Sequence, residues 1–326
     1  MWVGAARRIG LRIIRTPDAY AATDGRGTLA IANDEALDAD DSLAQMIFHE
    51  LCHSLVEGEQ SFAREDWGMD NTGPDHDWRE HACLRVQWLL TGRYGLRRLF
   101  APTTEFRAFW DQLGGDVLAD RTERSVQAAI IAVRRAEQPP WAPALREALE
   151  ATARIAREAA QFASEADVLW SGIEPAPAQH PSGLGIGAAS ATCATCVWRY
   201  EQRGVARCRQ AARKIDDAWP ACERFEAALD CQTCGACCRA AYHSVEVKRR
   251  DPVVKRHPQL IVDRSTYLEI KRAGDRCAAL EGGELVGEHV TQYRCAIYDD
   301  RPQTCRDFTL GSEHCLTARR RVGLSL

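Results

Sequence analysis

"QMIFHELCHSLVEG", residues 45–58, holds His49, Glu50 and His53 in the order of a zinc hydrolase, with Cys52 among them. The longer run "DSLAQMIFHELCHSLV" reads as a helix with Asp41 or Ser42 as its N-cap. Residues four apart on a helix point the same way, so His49 and His53 offer two imidazoles on one face, a chelate for zinc. Glu50 beside the first can polarise a metal-bound water and act as general base. A catalytic zinc needs three protein ligands and one open position. The next helical run, "DWREHACLRVQWLLTGRYG", is capped near Asp77, ends around Gly92 or Gly95, and offers Glu80 in its first turn. Asp75, His76, Asp77 and His81 compete with it; Glu80 is favoured because a crossing helix presents an early residue at the metal. Cys52, three residues after His49, would fill the open position and end hydrolysis if it were a ligand. It reads instead as a small thiol packed where helices approach, and Cys83, one turn after Glu80, reads the same way. Tyr94, His76 and His81 are unranked candidates for stabilising an oxyanion.

A chain of 326 residues implies two or three units, and 45% hydrophobic residues can supply their cores. The net charge of −4 implies no broad basic surface, so no nucleic-acid partner is expected. "VGAARRIGLRIIR" is broken by arginines and is no secretory signal, and no run reaches the ~18 apolar residues of a membrane span. A cytoplasmic location is expected. Without an export signal, the 14 cysteines read as reduced, metal-binding thiols rather than disulfides. "LRIIRTP" and "GTLAIAN" read as strands, and two helices joined at Pro139-Pro140 account for residues 120–170. The expected plan is α+β: a small HExxH metallopeptidase-like domain (1–115), a helical extension (116–171), a flexible linker (172–190), a four-cysteine metal module (191–227) and a loop-rich cysteine-cluster metal-binding domain (228–326).

HExxH, a strand such as "GTLAIAN" before it and a following helix with a glutamate and an apolar "LL" end resemble small gluzincin peptidases of the ImmA/IrrE type. The resemblance covers roughly residues 10–100. It implies His49, His53 and Glu80 as zinc ligands, Glu50 as general base, and "GTLAIAN" as an edge strand that pairs with an extended peptide. The chain departs from many relatives in carrying Cys52 where glycine is frequent.

The second half is organised by cysteines. Cys193 and Cys196 form a CxxC pair that can close on one metal from a tight turn, and Cys208 and Cys222 can complete a tetrahedron. Four thiolates suit zinc or an iron–sulphur cluster. "CQTCGACC" then supplies Cys231, Cys234, Cys237 and Cys238, followed by Cys277, and by Cys295 and Cys305 in "CAIYDDRPQTC". This pattern, over about 228–318, closely resembles the YkgJ-type cysteine-cluster family, described as zinc- or iron-chelating. By motif position those seven cysteines carry over, and Cys315 in "GSEHC" is counted beside them as an eighth. Eight exceed one four-ligand site, so two metals bind or some thiols are spectators. Tyr298 is expected to pack and Arg301-Pro302 to shape the loop before Cys305.

The leading functional expectation is zinc-dependent hydrolysis of a peptide or protein substrate, with zinc, iron or a 4Fe-4S cluster in the cysteine half. The alternatives are a non-hydrolytic metal-binding or sensing protein, and a maturation factor assisting modification of a partner protein.

Overall fold

Ser42 stands in extended backbone and its side chain accepts a hydrogen bond from the Gln45 N–H, which fixes the start of helix α2, Leu43–Glu57. The computed structural model describes residues 1–326 except 39–40, 70–76, 103–105, 165–172, 174–179, 188–189, 240–241, 323 and 326. Before α2 come helix α1 (Trp2–Ile9) and strands β1 (Arg12–Thr16), β2 (Ala21–Thr23) and β3 (Thr28–Ala32); after it come α3 (Asp77–Gly92), α4 (Arg107–Gln112), α5 (Arg124–Arg135) and α6 (Ala144–Ala160). These belong to a first unit, Met1–Asp120 with Arg124–Ala178; the second is Arg121–Glu123 with Gln179–Leu326. The mixed α+β class is as the sequence implies. Among the described residues no helix is long and apolar enough to cross a membrane.

α2 is apolar on most of its circumference, and Met46, Ile47, Phe48, Leu51, Cys52, Leu55 and Val56 are all buried. Phe48 meets the rings of Trp2 and Phe100 at 5.3 and 4.8 Å. The Trp141 indole donates to Ser54 Oγ at 2.8 Å. At the C-terminus of α2, Arg135 Nη1 of α5 donates to the carbonyls of Leu55 and Val56 at 2.6 and 2.7 Å, supplying partners that the helix end lacks. Gly58 is required there: its φ is +87°, and a Cβ would meet the Arg135 guanidinium at 2.9 Å. The helices expected as a separate extension, α5 and α6, bury Ala129, Ala132, Leu145 and Leu149 in the same core as Phe48. The boundary expected near 115 therefore falls inside one core, because those helices have apolar faces that need it.

The sheet of this unit has the order β1-β3-β2, with β3 parallel to β1 and antiparallel to β2. "GTLAIAN" is thus the central strand, buried at Thr28, Leu29, Ile31 and Ala32, and not the edge that the gluzincin resemblance implies. Both sides of its backbone are already paired, so it cannot receive a peptide.

The apolar core of the second unit is split into small clusters. The unit contains the antiparallel sheet β4 (Arg199–Gln202), β5 (Val205–Cys208) and β6 (Arg213–Lys214). After it come helix α7 (Cys231–Cys234) and a small sheet, β7 (Glu246–Val247), β8 (Ile261–Asp263) and β9 (Leu268–Ile270). One small cluster gathers Val247, Val253, Leu268, Ile270, Ala279 and Ile297; another gathers Trp198, Cys208 and Leu316. Of the run expected as a linker, part lies outside the described residues. Its later portion is tied into this unit, since Gly187 N–H donates to Ala221 O and Glu223 N–H to Gly185 O. Free flexibility is therefore not a property of the whole run.

Candidate metal centres

His49 and His53 lie one turn apart on α2 with their Nε2 atoms 3.0 Å apart. α3 presents Glu80 and Cys83, three residues apart and so neighbours on its surface. Glu80 Oε2 is 3.1 Å from His53 Nε2, and Glu80 Oε1 is 3.5 Å from His49 Nε2. Cys83 Sγ lies 3.8 Å from His49 Nδ1. One ligand atom from each of the four residues falls within 4.8 Å of all the others. Among the described residues it is the one set of histidine, cysteine and acidic side chains gathered so tightly.

The tautomer of His49 follows from its surroundings. Gln87, one turn beyond Cys83 on α3 and buried, donates its amide N–H to the Phe100 carbonyl, so its Oε1 must be an acceptor. His49 Nδ1 is 3.2 Å from that oxygen and donates to it, which leaves the Nε2 lone pair of neutral His49 facing His53 and Glu80. A ligating histidine is held in this way, its other N–H given to a carbonyl oxygen. His53 Nδ1 is buried with no hydrogen-bond partner.

Without a metal ion, protons take the cation's place. Burial pushes the His49 pKa down, but the Cys83 sulphur and the Glu80 carboxylate beside it outweigh burial and hold the group at about 10. His53 is raised well above its ordinary value against the same burial, by the same two neighbours. For Glu80, burial acts upward, and the charges of His53 and His49 overcome it and hold the carboxyl at about 2. Burial pushes the Cys83 thiol up, as does its hydrogen bond with Cys52. Two nitrogens, a carboxylate and a sulphur converging on one point are a donor set that fits Zn²⁺, which binds all three atom types tetrahedrally.

The other residues expected here are placed elsewhere. Glu50 is buried and its Oε2 accepts the Trp67 indole N–H at 2.7 Å; it is not part of the quartet. Trp67 holds a φ of +59°, uncommon for a bulky side chain. Cys52 is fully buried beside Cys83, as a packing thiol. His81 stacks on Phe109 with ring centroids 3.9 Å apart, Asp77 opens α3, and Tyr94 packs partly buried against the core. Asp75 and His76 lie outside the described residues. Sequence reasoning took Cys83 for packing. The signal that identifies it is its position three residues after Glu80, on the face that α3 turns to α2.

The twelve cysteines of the second unit are free thiols, as are Cys52 and Cys83, so no disulfide joins any of the fourteen. Cys193, Cys196, Cys208 and Cys222 line one cavity together with His180, which the sequence reading passed over. Asp230 caps the short helix α7, accepting from the Gln232 N–H, and so sets Cys231 and Cys234 on one turn. Gly235 ends that turn in left-handed backbone with the Tyr293 ring 2.8 Å from where a Cβ would stand, leaving room for glycine alone. Cys237 and Cys238 follow with sulphurs 3.8 Å apart. Hydrogen bonding from the Cys238 thiol lowers the Cys237 pKa, and the same bond raises that of Cys238. The Cys277 N–H donates to Cys238 O, Leu280 pairs with Cys295, and Cys305 sits in the short helix Gln303–Arg306. Burial first, then negative charge on Cys277, Cys237 and Cys295, pushes Cys305 up to about 12. Cys231 is pushed up to about 11, by burial and then by Cys237, Cys234 and Cys315. The eight thiols thus form two neighbourhoods, Cys231/Cys234/Cys315 and Cys238/Cys277/Cys295/Cys305, with Cys237 felt in both. Tyr298 is exposed rather than packed, and the Arg301 guanidinium lies over its ring at 3.9 Å.

Residues 230–320 match the CxxCxxCC family model, "Putative zinc- or iron-chelating domain". This part of the second unit is a metal-chelating cysteine-cluster domain. The match does not extend to the histidine-bearing helix or to Cys193, Cys196, Cys208 and Cys222. No curated protein and no solved structure matches the chain.

Proposed function

We propose that this chain is a metal-binding protein whose first unit holds zinc in a closed, non-hydrolytic site made by His49, His53, Glu80 and Cys83, while its cysteine domain holds zinc or iron. The observation that carries the reading is the presence of Cys83 Sγ in the tight quartet. Three protein ligands leave zinc a position for chemistry; four fill the tetrahedron and give the metal a structural or sensing role. Two further features agree. Glu50, which a hydrolase would use as its base, is engaged by Trp67. The strand expected to take the substrate is paired on both sides.

When bound, the zinc would supply folding free energy, on the order of 10 kcal/mol for structural sites. This chain's residues set the terms: His49 is oriented by Gln87, and Glu80 is held ionised by the histidines. The test is to incubate the zinc-loaded full chain with a peptide library and follow cleavage by mass spectrometry. No cleavage is expected from the wild type or from Cys83→Ala. Cleavage by the wild type that disappears in Glu50→Gln, with zinc content unchanged, overturns the closed-site reading in favour of a peptidase.

A further inference from the structure

We infer that Cys193, Cys196, Cys208 and Cys222 form a separate tetrathiolate site for zinc or iron, with His180 as an N–H donor to the Cys193 sulphur and not a fifth ligand. The site lies outside the family match and outside the α2–α3 quartet.

Three pieces of backbone bring the thiols together. Cys193 opens a turn of 3-10 helix, Cys193–Thr195, and Cys196 follows it; the Cys193 N–H donates to Trp219 O at 2.9 Å. Cys208 ends β5, in register with Arg199 of β4. Cys222 sits opposite Ile186 in a short antiparallel bridge. Burial raises the thiol pKa of Cys196 and Cys222, and backbone N–H groups act against it: those of Trp198 and Glu226 at Cys196, and that of Arg224 at Cys222. A donor two residues after each cysteine is a local turn feature that stabilises thiolate, the form that binds metal. Cys193, Cys208 and Cys222 are buried, so thiolates there need a cation nearby.

The four thiols and His180 line one cavity, and a lining of cysteine sulphur suits zinc or iron.

The role of His180 follows from its hydrogen bonds. It is 2% exposed, and its Nδ1 accepts from the Ser182 N–H at 3.0 Å, so the neutral ring carries its proton on Nε2. That Nε2 lies 3.5 Å from Cys193 Sγ. A nitrogen bearing a proton is a donor to sulphur, not a lone pair for a metal.

The experiment uses the full chain, purified anaerobically and loaded with Zn²⁺ or Fe²⁺. Cysteines are labelled with N-ethylmaleimide with and without chelator and mapped by peptide mass spectrometry. Cys193, Cys196, Cys208 and Cys222 should be protected together and become reactive together once the metal is removed. Labelling of any of the four at a rate that chelator does not change overturns the site. Cys208→Ser/Cys222→Ser should lose one metal equivalent per chain; full metal content in that variant also overturns it. His180→Ala should keep the equivalent and an all-sulphur Co²⁺ spectrum, while releasing metal to chelator about 10–100-fold faster. Loss of the equivalent, or a nitrogen contribution in the wild-type Co²⁺ spectrum that vanishes in His180→Ala, contradicts the donor role.

Discussion

Replacing Cys83 by alanine removes one of four donor atoms from the α2–α3 quartet and leaves His49, His53 and Glu80 in place. A structural zinc contributes about 10–16 kcal/mol, so one donor of four carries about 2.5–4 kcal/mol. At about 1.4 kcal/mol per tenfold, zinc affinity at this site should fall by about two to three orders of magnitude. The effect on the metal-free protein is much smaller. Cys83 is fully buried, and losing one sulphur from a packed position costs about 1 kcal/mol. The assay is stepwise zinc extraction by chelators of graded affinity, with zinc content read by mass spectrometry and the wild type as reference. One equivalent should move to weaker chelators, while denaturation of the chelator-treated proteins should differ little. An extraction profile within about threefold of the wild type would refute the assignment of Cys83 as a ligand and return the site to three donors and an open position.

Gln87→Leu should weaken zinc binding at the same site about 10–100-fold and destabilise the metal-free protein by about 1–3 kcal/mol, because His49 Nδ1 and the Phe100 carbonyl lose their partner; chelator competition and urea denaturation read the two effects. The metal-free protein should be most resistant to urea between about pH 4.5 and 6.5. His49, raised from 6.5 to about 10, contributes fully below the lower value and loses its contribution as pH rises through the higher; Glu80, lowered from 4.5 to about 2, contributes above 4.5 and loses its contribution as pH falls toward 2. A urea midpoint that rises steadily from pH 6.5 to 10 contradicts that sign. In the reduced, metal-free chain Cys237 should be the first thiol of the cysteine domain alkylated, at a pH below the ordinary thiol range, because the Cys238 thiol donates to it. Uniform alkylation of Cys237 and Cys305, followed by peptide mapping, would speak against that bond.

The sequence carried α2 and α3 well, because Ser42, the apolar run and the glycines after each helix are local signals that burial then reinforces. His49, His53 and Glu80 were legible for the same reason, helical spacing being a geometric property of the chain. Cys83 was not, since whether a thiol three residues after Glu80 packs or points at two histidines depends on how α3 lies against α2. The central position of "GTLAIAN" was hidden as well. A strand that is buried on both faces differs little in sequence from an edge strand, and its pairing depends on β1 and β2. His180 stands in a Pro/Gly-rich run with no periodicity, and only folding brings its ring to Cys193. The cysteine domain was the reverse case: its spacing is so dense in thiols that the chemistry could be read before any strand was placed.

The most direct test of the metal-binding account is the zinc content of the reconstituted full chain beside that of His49→Ala/His53→Ala, measured by mass spectrometry under conditions that preserve bound metal. The account predicts one equivalent fewer in the double variant, with the metal of the cysteine-rich unit retained. Equal zinc content in the two proteins would contradict it.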